Sequence, residues 1–252
     1  MNSLVAGARG VGIDLDSAQQ AAFQSYFRLL DERGRIVNLT AIRGWEAVRE
    51  ELFLRSLRVL AVDESPIPQM VRDRGLGLAA IDVGSGAGVP GLVLKIALPL
   101  LSMTLLDATR KKTDFLADVV RELGLDGVRI VNSRAEEAAH DQTLREAFDV
   151  VLARSLARLP ELVELTVPFC RIGGMVVAPK GADPGEEVAA ASYAARELGA
   201  MPPRVVRVDL PGAAPADSVI ILRKTTTTPR RYPRRPGLPH QRPLVARTQR
   251  PR

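Results

Sequence analysis

The stretch Leu78-Ala-Ala-Ile81-Asp82-Val-Gly84-Ser-Gly86-Ala-Gly88-Val-Pro90-Gly91 constrains the fold more than any other part of the chain. An apolar run ends at an acid, a glycine-dense loop follows, and a second apolar run extends from Leu92 to Leu98. That order predicts a buried strand, a tight turn and a helix N-terminus. Gly84, Gly86 and Gly88 permit positive φ and leave no Cβ between the backbone and a flat ligand. Twenty-five residues after Asp82, the apolar run Met103 to Leu106 also stops at an acid, Asp107.

From residue 78 onward the pattern alternates. It predicts strands at 78–83, 102–107, 127–132, 148–153 and 173–178, and helices at 91–98, 110–123, 159–169 and 185–198. On the second of these helices Phe115, Leu116, Val119, Val120 and Leu123 share one face. Two further strand-like runs, 204–210 and 218–223, have no helix between them and read as an antiparallel pair at the sheet edge. The fold class is therefore α/β: a doubly wound, mostly parallel, seven-stranded sheet. Residues 1–70 read as an N-terminal helical cap, 71–224 as the ligand-binding domain and 225–252 as a basic Pro/Arg-rich tail. In the cap, Ser17-x-x-Gln20 is a candidate capping box. Ala22, Tyr26, Leu29 and Leu30 mark one helix face ending near Gly34, and a second helix covers 46–60. Pro66, Pro68, Gly75 and Gly77 mark 64–77 as a linker.

Such sheets bind ligands at the carboxyl ends of their strands, and an acid closing the second strand is placed to hold an adenosine ribose. Two cofactors compete for the glycine loop. Gly86-x-Gly88-x-x-Gly91 matches the dinucleotide fingerprint of nicotinamide enzymes. Asp82 followed by Gly84-x-Gly86-x-Gly88 suits S-adenosylmethionine. Pro90 removes one N–H near the helix start, where a pyrophosphate would sit, which favours the sulfonium cofactor.

Composition narrows the class further. The chain has 252 residues, 46% of them apolar, enough for a full core, and no segment is long and apolar enough for a membrane span. The N-terminus lacks an export signal, and the single cysteine, Cys170, excludes an internal disulfide framework, so a cytoplasmic location is expected. His140 and His240, the only histidines, have no companions at metal-ligand spacing, so no metal is expected. Ten of the 35 Lys and Arg fall between Arg223 and Arg252, a segment without acids, leaving 25 basic against 29 acidic residues before it. A mildly acidic body with a basic tail is the footprint of a polyanion partner. Five prolines between Pro229 and Pro243 are expected to keep that tail extended.

The predicted strand ends bring Asp82 to Gly88, Asp107 to Thr109, Asn132 to Glu136, Arg154 and Lys180 to one crevice. Asp107 is the natural ribose ligand, and Ala135 and Glu136 are placed to border an adenine. Arg154 and Lys180 follow apolar strands, where a charge is rarely needed for packing. Arg110, Lys111 and Lys112 open a helix N-terminus, an electrostatically poor place for cations unless a polyanion lies alongside. A non-catalytic RNA-binding factor or a small-molecule methyltransferase would share parts of this pattern.

The chain resembles the ribosomal RNA small subunit methyltransferase G family, also called glucose-inhibited division protein B. The resemblance rests on Val37-Asn38-Leu39-Thr40-Ala41-Ile42, the Asp82–Gly91 loop, Leu106-Asp107-Ala108-Thr109-Arg110-Lys111-Lys112, Ala153-Arg154-Ser155, Pro179-Lys180-Gly181 and Tyr232-Pro-Arg-Arg-Pro-Gly237, in order across almost the whole chain. It implies the class I S-adenosylmethionine methyltransferase fold and methylation of guanine N7 at position 527 in the 530 loop of 16S ribosomal RNA; a monomer is expected. It implies cofactor contacts at Gly84, Val89, Asp107, Ala108, Thr109, Ala135, Glu136 and Arg154, beside Asp82, Gly86 and Gly88 of the loop. Arg154 and Lys180 would hold guanine O6 or a nearby phosphate. Asn38, Arg110, Lys111, Lys112, Arg234 and Arg235 would face RNA. The family usually has His and Asp where this chain has Leu52 and Arg55.

Overall fold

The computed structural model describes residues 1–37, 39–64, 66–180, 184–208 and 218–246, with the side chains of 35–37 outside the description. Its centre is a seven-stranded sheet: β1 (Ala79–Val83), β2 (Ser102–Asp107), β3 (Val128–Asn132), β4 (Phe148–Leu152), β5 (Cys170–Lys180), β6 (Arg204–Arg207) and β7 (Ser218–Arg223). The order is β3-β2-β1-β4-β5-β7-β6. The first five strands run parallel, and β7 is antiparallel to both β5 and β6. The order reverses between β1 and β4, which opens a crevice at their carboxyl ends. This is the architecture the alternation predicts.

Helices cover both faces. They are α1 (Asn2–Gly10), α2 (Ser17–Val37), α3 (45–61), α4 (Ile67–Arg72), α5 (Gly91–Ala97), α6 (Arg110–Glu122), α7 (Ala135–Ala138), α8 (Leu159–Thr166), α9 (Gly185–Glu197) and α10 (Leu238–Gln241). Within α3, Val48–Leu54 has π-helical winding. Sequence pattern does not find α1, nor the shorter α4, α7 and α10, which carry too few turns to show a period. Helix α4 lies inside the expected linker because Ile67 and Met70 are fully buried. The cap on α2 also differs from the expected Ser17/Gln20 pair. Asp16 and Gln19 exchange side-chain-to-backbone hydrogen bonds at 2.8 and 3.0 Å, a reciprocal box one residue earlier.

The cap shares its core with the sheet. Leu4, Phe23, Tyr26, Phe53 and Leu57 join Leu92, Leu94, Leu105 and Leu116 in one buried cluster. Half of the chain's ten aromatic residues hold it together: Phe23 and Tyr26 lie 5.1 and 5.3 Å from Phe53, and Phe27 meets Trp45 edge-on. Leu52 belongs to this cluster, and Arg55 pairs with Glu51 at 3.1 Å. The two unusual residues thus sit in cap packing and in a helix-surface ion pair.

The C-terminal segment is the main departure from expectation. Residues 225–246 do not extend into solvent as a proline-stiffened tail; they fold back on the domain, and Tyr232 is buried. The reason is electrostatic. Glu164 on α8 is fully buried and needs a partner. Arg234 supplies it through its backbone N–H at 2.8 Å and a two-pronged guanidinium contact at 2.6 and 2.9 Å. Arg145 donates to the carbonyls of Thr228 and Tyr232, and His140 Nε2 bonds the Pro233 carbonyl at 2.9 Å. Arg234 is therefore an internal clamp.

Candidate active site at the carboxyl edge of the sheet

The glycine loop is stitched to the end of β2. Gly84 and Ser85 donate their backbone N–H groups to the Leu106 carbonyl at 2.8 and 3.0 Å, and Ser85 Oγ donates to the Asp82 carbonyl. Positive φ is required at Gly84 (74°), Gly86 (56°) and Gly88 (92°). At Gly88 space matters as well: a Cβ there would stand 2.5 Å from Leu92 and 2.8 Å from the Tyr26 hydroxyl. That hydroxyl donates to the Ala87 carbonyl at 2.6 Å, so a buried cap residue grips the loop from below. Burial pushes the Tyr26 phenol well above its ordinary range, which keeps it a donor.

Two acids frame the loop with different duties. Asp82 is fully buried and accepts the Gly91 N–H at 2.9 Å. Burial raises its pKa to about 7, with the Asp107 charge adding and the Gly91 bond and Arg154 charge opposing. Asp107 accepts from Gly86 N–H through one oxygen (2.9 Å) and from Thr109 N–H through the other (2.8 Å). Each carboxylate oxygen keeps a further acceptor site, so Asp107 holds the loop and can still receive ribose hydroxyls.

A cavity of about 440 Å³ opens above these residues. Of the expected cofactor residues, Gly84, Asp107, Ala108, Ala135 and Glu136 line it; its wall does not include Asp82, Gly86, Gly88, Val89, Thr109 or Arg154. Val89 packs against the core, and Arg154, half-buried, acts electrostatically on Asp82 and Tyr26 beneath the loop. Lys112 reaches the wall, Lys111 is exposed, and Arg110 pairs with Asp114 at 3.0 Å. Arg235 is exposed, and Asn38 lies outside the described residues. Lys180 pairs with Glu187 at 2.9 Å, and Glu187 also accepts the Leu159 N–H. Instead of presenting a free cation to a reacting base, Lys180 ties the end of β5 to the starts of α8 and α9.

The cavity wall also carries Leu156, Glu161 and His240, which sequence reasoning did not place there, together with Arg134 of the expected Asn132–Glu136 stretch and Gly237. Gly237 and His240 come from the folded-back segment, whose match Tyr232–Gly237 was the available signal. The pocket suits S-adenosylmethionine: Gly84 holds φ 74°, and its missing side chain leaves the wall open beside Asp107.

Comparison with known proteins agrees with this geometry. Residues 19–210 match the family model for rRNA small subunit methyltransferase G. The chain belongs to this family. It is 40% identical over 245 residues to the ribosomal RNA small subunit methyltransferase G of Dehalococcoides mccartyi, covering 97% of this chain and all of that one. It is 42% identical over 233 residues to the protein of the same name from Chloroflexus aggregans, covering 92% and 93% of the two chains. A solved precorrin-6y C5,15-methyltransferase from Geobacter metallireducens superposes with a TM-score of 0.48 at 15% identity, over 68% of this chain and 87% of that one. As a methyltransferase G family member, the chain is an S-adenosylmethionine-dependent rRNA methyltransferase. Among the described residues no helix is long and apolar enough to cross a membrane.

Proposed function

We propose that the chain methylates guanine N7 of 16S ribosomal RNA at position 527, in the 530 loop. The observation that carries this reading is the family match across nearly the whole chain, joined to a cavity bordered by Gly84 and Asp107 at the sheet's switch point. Bound there, S-adenosylmethionine supplies an electrophilic methyl group on sulfonium. Guanine N7 attacks with a lone pair and releases no proton, so the site's task is alignment and charge placement. Holding two reactants in line can remove roughly 7–11 kcal/mol from a barrier.

The residues divide this task. Asp107 receives the ribose while its bonds to Gly86 and Thr109 keep both loops in place. Ala108, Ala135 and Glu136 border the nucleoside. Arg154 balances the charge beneath the loop, and no group should donate to N7, which must stay free. Lys180 acts as a positioning residue through Glu187. Arg110, Lys111, Lys112 and Arg235, together with Arg134 on the rim, meet RNA phosphates, so affinity should fall steeply with salt. The protein works as a monomer in the cytoplasm.

The test is transfer of labelled methyl from S-adenosylmethionine to small ribosomal subunits from cells lacking the native enzyme, followed by chain cleavage at N7-methylguanine. One new cleavage in the 530 loop is expected. Label at another base, or none in either subunits or stripped RNA, would overturn the assignment.

A further inference from the structure

We propose that residues 232–241 form a structural wall of the cofactor cavity, and that Gly237 is a positioning residue that fixes the Glu136 carboxylate there. This rests on the reading of that cavity as the S-adenosylmethionine site. Gly237 donates its backbone N–H to Glu136 Oε1 at 2.9 Å, across 101 residues of sequence. Both residues line the cavity. Glu136 is buried, so this bond decides which way its carboxylate faces. Gly237 sits at φ 81°, a conformation that costs other residues strain. Three residues on, His240 lies 3.1 Å from Glu161, and this pair lines the same cavity.

The wall is held from behind. Arg234 clamps to Glu164, and Arg145 holds the carbonyls of Thr228 and Tyr232. Thr228 donates its N–H to Glu146, which also pairs with buried Lys224 at 3.0 Å. These anchors lie behind the cavity and none of them lines it. Arg234 is thus spent on the internal carboxylate of Glu164, while Arg235 stays exposed.

The experiment compares S-adenosylmethionine binding by calorimetry for the full chain and for Gly237→Ala, with methyl transfer measured at limiting and saturating cofactor. An alanine at this φ should draw the N–H off Glu136. Kd and the cofactor KM should then rise about tenfold, the scale of one bond to a charged group, while kcat at saturation holds. Hydrogen exchange on the unmodified chain gives a second reading that survives any folding defect of the variant: adding cofactor should slow the amides of residues 237–241. Unchanged Kd in a folded variant, or exchange that ignores bound cofactor, would overturn the wall. If the unmodified chain binds no S-adenosylmethionine, the cofactor reading itself falls, and the wall with it.

Discussion

The glycine loop and the C-terminal segment border one cavity, yet they are held there by opposite means. The loop is fixed mainly through its own backbone N–H groups, which bond the ends of the two strands beside it: Gly84 and Ser85 bond Leu106, Gly86 bonds Asp107, and Gly91 bonds Asp82. The Tyr26 hydroxyl adds a support from the cap. The C-terminal segment is fixed almost wholly by distant ion pairs and carbonyl bonds, from Glu164, Arg145, His140 and Glu136. Backbone geometry makes the first, and buried charge makes the second. The loop should therefore be most sensitive to changes of shape at its glycines, whereas the anchoring of the segment should depend most on the charges behind it.

The largest effect should come from the buried charge. Replacing Arg234 by Met (Arg234→Met) leaves Glu164 uncompensated in a fully buried position, and such losses cost about 3–5 kcal/mol. Urea unfolding measures it; a loss under 1 kcal/mol would show that Glu164 is satisfied without the clamp.

Next is Asp82, where the loop carries its own buried acid. Its folded-state pKa, about 7, lies above the ordinary 3.8, so between these values the native state holds a proton that the unfolded state has lost. This group's contribution therefore falls as pH rises from about 4 to 7. Asp82→Asn can still accept from Gly91 and does not titrate. Its stability relative to the parent should improve by about 3 kcal/mol between pH 5 and pH 8. Parallel pH profiles would contradict the burial argument.

Tyr26→Phe should cost about 1–3 kcal/mol, because it strands the buried Ala87 carbonyl. It should also raise the cofactor KM, since the carbonyl lies in the glycine loop; a change in stability alone would confine Tyr26 to core packing. The smallest effect is expected at Arg110→Ala. The exposed pair with Asp114 should be worth at most about 0.5 kcal/mol of stability, while RNA affinity and its salt slope both decline. Equal RNA binding would remove Arg110 from the interface.

The same contrast explains what could be read from sequence. Strand β1, the loop and Asp107 were legible because a continuous apolar run, glycine spacing and a terminal acid are local signals. The five parallel strands and helices α5, α6, α8 and α9 followed for the same reason. Arg234 read as a surface cation because nothing near it in sequence is acidic; its partner Glu164 lies 70 residues away. Gly237 and His240 were invisible as cavity residues for the same cause. Lys180 was placed correctly at a strand end, but Glu187, which claims its charge, belongs to the next helix. The prolines of the tail were taken as stiffeners, and the pattern could not show that Tyr232 would find a buried site.

The most direct measurement is a structure of the full chain with S-adenosylhomocysteine bound. The account predicts a nucleoside bordered on one side by Gly84, Asp107 and Ala108 and on the other by Glu136, Gly237 and His240. A nucleoside held by the glycine loop with residues 232–241 turned away, or one lodged elsewhere on the molecule, would contradict it.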